Sequence, residues 1–192
     1  MGLFTKKELS EEEIIRGCIK EDRRCQELFY NKFANRMYGV CLRYCLDRDV
    51  AHDVHQEAFI TVFKKLAQFK FDGPVEAWIR RIMVNASLYY LRHKTDLLRM
   101  DDVIETEQEL IPANVLDNLA AEDILKLIQQ LPDGCRTVFN LYAIEGYQHK
   151  EIAVMLNISV GTSKSQLSRA RTILQHKVLK STTIKEEIYA GA

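Results

Sequence analysis

The chain has 192 residues, of which 47% are hydrophobic and 28% charged. That is enough apolar material for one or two small cores, so the disordered, collagen-like and disulfide-scaffold classes drop out. Eight Gly and three Pro are few for a turn-rich all-β chain and favour helices. Lys plus Arg and Asp plus Glu both number 27, so net charge excludes no partner and only its distribution informs.

That distribution is blocky. Lys64 to Lys94 carries seven bases against Asp72 and Glu76, Thr95 to Asp123 carries nine acids against Arg99 alone, and Ser159 to Lys180 carries five bases and no acid. Two basic blocks flanking an acidic one suit two polyanion-binding surfaces joined by a linker. No apolar run approaches the roughly 18 residues of a membrane span, and Met1 to Lys20 is charged and amphipathic rather than a signal peptide. The expectation is a cytoplasmic protein with no membrane insertion. Cys18, Cys25, Cys41, Cys45 and Cys135 are odd in number and lack CxxC spacing, which fits reduced, buried thiols.

In chain order, Ser10-Glu-Glu-Glu13 is a capping box, and apolar residues then recur at helical spacing through Ile14, Ile15, Cys18, Ile19, Leu28, Phe29 and Phe33. Met37, Tyr38, Cys41, Leu42 and Cys45 continue the period until Leu46-Asp-Arg-Asp49 breaks it. Val54, Ala58, Phe59, Val62, Phe63 and Leu66 mark the next helix, and Asp72-Gly73-Pro74 a loop. Trp78, Ile79, Ile82, Met83, Ala86, Tyr90 and Leu91 predict a further amphipathic helix, with Trp78 in the core. Residues 1–94 form the first helical domain on this reading, and the acidic, weakly periodic residues 95–118 a linker. Residues 119–180 form a second, smaller helical domain, and 181–192 a fraying tail. The fold class is all-α.

Within the second domain, Leu119 to Leu131 is helical and stops before Pro132-Asp133-Gly134. Cys135 to Ile144 is helical and closed by Gly146, where a left-handed cap is common. Glu151 to Leu156, the turn Asn157-Ile158-Ser159 and a basic helix from Val160 to about Leu179 have the form of a helix-turn-helix. Asn157 tolerates positive φ, and Ser159 can cap the second helix. Projection at about 100° per residue groups Val160, Ser163, Leu167, Ala170, Leu174 and Val178 as the buried stripe. Thr162, Ser165, Ser168, Arg169 and Thr172 lie opposite, with Lys164 and Gln166 on the flanks. Short hydroxyls allow close approach to DNA, and Arg169 can bond a guanine edge bidentately.

Leu131-Pro132, Glu145-Gly146, Glu151-Ile152-Ala153, Ile158-Ser159-Val160-Gly161-Thr162, Lys164-Ser165 and Arg169-Ala170-Arg171 resemble region 4 of the RNA polymerase sigma-70 family. Asp53-Val-His-Gln56-Glu57-Ala-Phe59 and Trp78-Ile-Arg-Arg-Ile-Met-Val-Asn85, ending in Tyr90-Leu91-Arg92, resemble its region 2. With both regions present and no other sigma domain, the chain is similar to the extracytoplasmic-function (ECF) subfamily. The resemblance implies a transcription initiation factor that is neither an enzyme nor cofactor-dependent. Its implied partners are core RNA polymerase, promoter DNA and an anti-sigma factor. Asp53, Gln56 and Glu57 would face the clamp helices of the largest polymerase subunit, and Thr162, Lys164, Ser165, Ser168 and Arg169 the −35 element. The loop from Gln68 to Gly73, with Phe69, Lys70 and Phe71, would hold a flipped-out −10 base, and Arg80, Arg81, Asn85 and Arg92 would line the strand. The chemistry agrees, because melting a duplex needs a cationic grip and a place for unstacked bases.

Some positions depart from the family pattern. Tyr89 stands where Asp is usual, His55 where an aliphatic residue is usual, Ser163 where the stripe is apolar, Gln166 where Arg is expected, and Gln148 where a better helix cap is expected. Three other readings compete, of which a metal-dependent phosphohydrolase suggested by His52-Asp53 has no further His/Asp set around it. Cys41, Cys45, His52 and His55 are four zinc-competent ligands, though both cysteines fall on an apolar stripe. A helix-turn-helix regulator independent of polymerase would share the second domain but has no need of the segment from Asp53 to Phe59.

Overall fold

The structure, a computed structural model, describes residues 9–94 and 121–190, which are helical with no strand among them. The expected linker, residues 95–118, lies outside the described residues. The chain divides into two compact units near the end of the helix that closes the first, at Tyr90.

The first unit contains α1 (Glu11–Ile19), α2 (Arg23–Tyr44), α3 (Arg48–Lys65), a 3-10 turn at Leu66–Gln68 and α4 (Val75–Lys94). Its helix starts are set by short polar side chains that satisfy backbone amides otherwise left without partners. Ser10 Oγ accepts from Glu13 N–H at 3.2 Å, and the Glu13 carboxylate accepts from Ser10 N–H at 2.7 Å, completing the capping box. Asp22 accepts from Cys25 N–H at 2.9 Å, and Asp47 from Asp49 and Val50 N–H at 2.8 and 3.2 Å. The break read at Leu46 to Asp49 is therefore the α2 to α3 junction.

The core takes Phe29, Phe33, Met37, Cys41 and Tyr44 from α2, Ala51, Val54, Ala58 and Val62 from α3, and Ile79, Met83 and Leu88 from α4, all buried. Each larger apolar side chain contributes about 1.5–3 kcal/mol by leaving water. Phe29 and Phe33 meet edge to face at 5.0 Å, and Cys41 Sγ lies 4.0 Å from Met83 Sδ, joining α2 to α4. Exposed ion pairs from Lys32 to Glu11 and from Arg36 to Glu76, both at 2.7 Å, add at most about 1 kcal/mol each. All five cysteines are buried thiols, none of them joined in a disulfide. Burial pushes the Cys18 thiol up to about 11 and the Cys41 thiol up to about 12. The zinc reading has no geometry behind it, since no three His, Cys, Asp or Glu side chains among the described residues stand where they could hold a metal ion.

The second unit contains α5 (Ala121–Gln129), α6 (Asp133–Phe139), which continues through a π-helical turn at Asn140–Ile144, then α7 (His149–Leu156) and α8 (Val160–Ala190). Leu131, Cys135 and Ala170 form a buried cluster packed by Phe139, Ile173 and Leu174. Gly146 takes φ +79, the left-handed conformation expected of it. Gln148 begins α7 with its N–H held by the Glu151 carboxylate at 2.8 Å, so a residue three positions on supplies part of the cap. One expectation is corrected here. The last helix does not end near Leu179 in a fraying tail but runs to Ala190, because Ser181 to Ala190 contains no Gly or Pro to stop it.

His55, where the family pattern prefers an aliphatic residue, is 3% exposed on the inner side of α3. Its Nε2–H donates to the Ala34 carbonyl at 3.0 Å, and the rings of Tyr38 and Phe59 meet it edge to face at 5.8 and 4.9 Å. Burial lowers its pKa below the ordinary 6.5, the largest effect on it, so the fold holds the neutral ring. The unfolded chain binds this proton more readily, so the contribution is complete above pH 6.5 and is lost as the pH falls through 6.5 toward the folded-state value. Urea unfolding between about pH 5 and 8 checks this: the His55→Leu variant should match the parent near pH 8 to within about 1.5 kcal/mol and lose stability less steeply on the acid side. An unchanged acid slope would contradict it.

Candidate nucleic-acid interface

The helix-turn-helix is built as its sequence suggests. Asn157 ends α7 at φ 54 and ψ 48, left-handed, so the chain turns sharply there. Ser159 Oγ accepts from Thr162 N–H at 2.9 Å and caps α8. Ile152 and Leu156 of α7 are buried, as are Ser163, Leu167, Ala170 and Val178 of α8.

Two positions differ from the projection. Val160, placed in the buried stripe, is 37% exposed because it occupies the first turn of α8, beyond the edge of the packing. Gln166, placed on the flank of the exposed face, is buried: its Oε1 accepts from the Cys135 thiol at 2.8 Å. Gly134 makes room for it, since a Cβ there would stand 3.3 Å from the Gln166 amide. Ser163 is fully buried and shares a hydrogen bond with His149 Nδ1 at 2.9 Å. His149 stacks on Tyr142 at 4.5 Å, and the Arg171 guanidinium lies over the Tyr142 ring at 5.9 Å. Burial first, then the charges of Lys164 and Arg171, lower the His149 pKa and keep its ring neutral at pH 7. Ser163 and Gln166, both departures from the family pattern, are thus paired inside the fold, which offsets the cost of burying them.

Of the five residues expected to face DNA, Thr162, Ser165, Ser168 and Arg169 lie on the side of α8 opposite the buried stripe and Lys164 on its flank. Lys164 and Ser165 are exposed, and Thr162, Ser168 and Arg169 are half-buried. Ser165 Oγ donates to the Thr162 carbonyl at 3.0 Å, which leaves its lone pairs outward as acceptors.

In the first unit, Asp53, Gln56 and Glu57 are all exposed on α3, on the side away from buried Ala51, Val54, Ala58 and Val62. Ile60, 55% exposed, falls on the same stripe one turn on from Glu57. Sequence reasoning passed over it, although an isoleucine at the position of a polar stripe is itself a sign of a docking surface. On α4, Arg81, Asn85 and Arg92 are exposed and lie within about 40° of one another in projection. Arg80 is half-buried and lies about 100° away, on the flank of that group. Tyr89, noted only as a departure from Asp, is 61% exposed on the same side as Asn85 and Arg92 and gives that face an aromatic surface.

The loop after α3 holds an aromatic cluster. Phe69 is 8% exposed and packs on Trp78 at 5.7 Å, so it supports the loop from within and does not itself offer a stacking face. Lys70 is exposed, and Phe71 is 42% exposed with its ring 5.0 Å from that of Phe69. Phe71 also takes φ 58, a left-handed conformation that costs a non-glycine residue about 1–2 kcal/mol.

The buried pairing of Gln166 has a direct consequence. Gln166→Arg, which introduces the residue the family pattern expects, should destabilise the chain by about 1–3 kcal/mol, through a buried charge, the lost Cys135 partner and crowding at Gly134. Thermal unfolding measures it, and an unchanged midpoint would return this side chain to the exposed flank.

Comparison with known proteins is consistent with both units. Residues 29–96 match the family description Sigma-70 region 2, and residues 121–174 match Sigma-70, region 4. The chain is 28% identical to the RNA polymerase sigma-H factor of Pseudomonas aeruginosa over 174 residues, covering 84% of this chain and 90% of that protein. It is 27% identical to the ECF RNA polymerase sigma-E factor of Escherichia coli K12 over 183 residues, covering 89% of this chain and 95% of that one. Among solved structures, the sigma factor RpoE in complex with the anti-sigma factor NepR from Bartonella quintana aligns at 22% identity and a TM-score of 0.49, covering 80% of this chain and 96% of that chain. The two matched regions, in the family's order, span well over half of the sequence, and the chain belongs to the ECF group of the sigma-70 family, the RNA polymerase sigma factors that direct promoter-specific transcription initiation.

Proposed function

We propose that the chain divides its initiation work among three outward faces. Asp53, Gln56, Glu57 and Ile60 of α3 dock on core RNA polymerase. Thr162, Lys164, Ser165, Ser168 and Arg169 of α8 read the −35 element in the major groove. Lys70, Phe71, Arg81, Asn85 and Arg92, with Arg80 at the flank and Phe69 beneath, hold the melted −10 strand. Residues 1–94 and 119–180 are the two working domains and 95–118 their acidic connection. An anti-sigma factor is the further partner that family membership implies, and the cytoplasm is the compartment where polymerase is met. The role is regulatory and involves no reaction catalysed by this chain.

The observation that supports this division most is the sign of the exposed faces on well-packed helices. The α3 stripe is acidic and amide-bearing around one isoleucine, too polar for the core and of the wrong charge for DNA. The α4 and α8 faces are cationic, amide or hydroxyl, as contacts with phosphates and bases require.

Charge reversal separates the faces. Glu57→Lys should cost about 2–5 kcal/mol in core binding through like-charge contact and unpaired desolvated groups, with the unfolding midpoint unchanged; co-purification with core polymerase at wild-type yield would remove this face from docking. Arg169→Ala should weaken promoter use by about 1–3 kcal/mol and relax preference at one −35 position. Lys177→Ala, whose ammonium donates to Gln130 Oε1 at 2.7 Å, should cost less and without sequence bias. Equal, sequence-independent losses from both would reduce α8 to an electrostatic grip.

A further inference from the structure

The segment before the matched region 2 contains an arrangement that the initiation role leaves unused. Arg16 of α1 donates to Glu12 Oε1 twice, from Nε at 2.9 Å and from Nη2 at 2.7 Å, which fixes the plane of the guanidinium. That guanidinium lies over the ring of Phe71 at 5.4 Å. Arg16 and Glu12 both sit on the surface, with side chains 63% and 58% exposed, so neither is needed to fill the core. Phe71 lies at the tip of the loop after α3, in the unfavourable left-handed conformation, and its ring also meets Phe69, which in turn packs on Trp78. A strained residue persists only where its surroundings hold it, and here they comprise the aromatic floor and one cation supplied by a different helix.

We propose that Arg16 is a positioning residue for the −10 loop: held by Glu12 and laid over Phe71, it keeps Gln68–Gly73 in the conformation that accepts an unstacked base, which makes α1 part of the −10 reader. This rests on the reading of that loop given above. Arg16 acts through Phe71 and not through the DNA, so its loss should change the loop even when no DNA is present.

Lys70 gives a readout free of DNA, because trypsin cleaves after an exposed lysine when the surrounding loop opens. In the whole 192-residue chain alone, the product ending at Lys70 should form about two- to fivefold faster in Arg16→Ala than in the parent, the loss expected for an exposed cation–π contact. Arg16→Lys, which keeps the charge, should fall between. With core polymerase bound, forked promoter DNA carrying 2-aminopurine in the unpaired −10 strand should show a similar two- to fivefold weaker binding for Arg16→Ala, with core capture unchanged. Phe71→Leu should give both effects, and Arg16→Ala should add nothing on that background. Unchanged cleavage at Lys70 with weaker −10 binding would make Arg16 a direct phosphate contact and overturn the proposal, as would faster cleavage with unaltered −10 binding, or losses that add in the double variant. Fluorescence that stays flat with the wild-type complex would sink the reading of the loop itself, and the proposal with it, whatever the protease does.

Discussion

Packing of α3 against α2 is the constraint on which the first unit depends. Ala51, Val54, Ala58 and Val62 must leave water together, and helical periodicity then leaves Asp53, Gln56, Glu57 and Ile60 no position but the outside. The same helix end delivers the chain through a 3-10 turn to Phe69, whose burial against Trp78 sets where Lys70 and Phe71 emerge. The stripe proposed to dock on polymerase and the loop proposed to hold the strand are thus placed by one packing event.

In the second unit the burial is less purely apolar. Ser163 with His149, and Gln166 with Cys135, are polar contacts made inside the fold, and each pair joins α8 to a different earlier element. Paired polar groups contribute less to stability than well-packed apolar ones, but they are directional and hold α8 in one rotation about its axis. That rotation sets which way Lys164, Ser165, Ser168 and Arg169, the residues proposed to read the −35 element, point from the helix. His149, kept neutral between Lys164 and Arg171, avoids adding a third positive charge to that corner.

Much of this was legible in the sequence. The capping box at Ser10 and the left-handed Asn157 and Gly146 follow from local rules of spacing and residue type, and those rules act within one helix or turn. What escaped depends on neighbours far along the chain. Gln166 belongs inside only because Gly134 and Cys135, some 31 residues earlier, leave it a space and a donor. Phe69 is a floor and not a stacking face because Trp78 covers it. The contact of Arg16 with Phe71 spans two helices and a loop, and no periodicity announces it. Tyr89 and Ile60 were readable, as large side chains off the apolar stripe, but the family pattern drew attention to Tyr89 only as a substitution.

The central claim is that the two units read a promoter only in company with polymerase, each from a face of its own helices. Run-off transcription with core enzyme on promoter templates selected from random −35 and −10 sequences tests it most directly. The account predicts transcripts that require both this chain and core polymerase, start at one position downstream of a selected −10 element, and vanish when either element is scrambled. It also predicts that the chain alone binds the same duplex poorly. Tight, specific binding of the duplex by the chain alone, with no transcript dependent on it, would contradict the account and leave a helix-turn-helix regulator in its place.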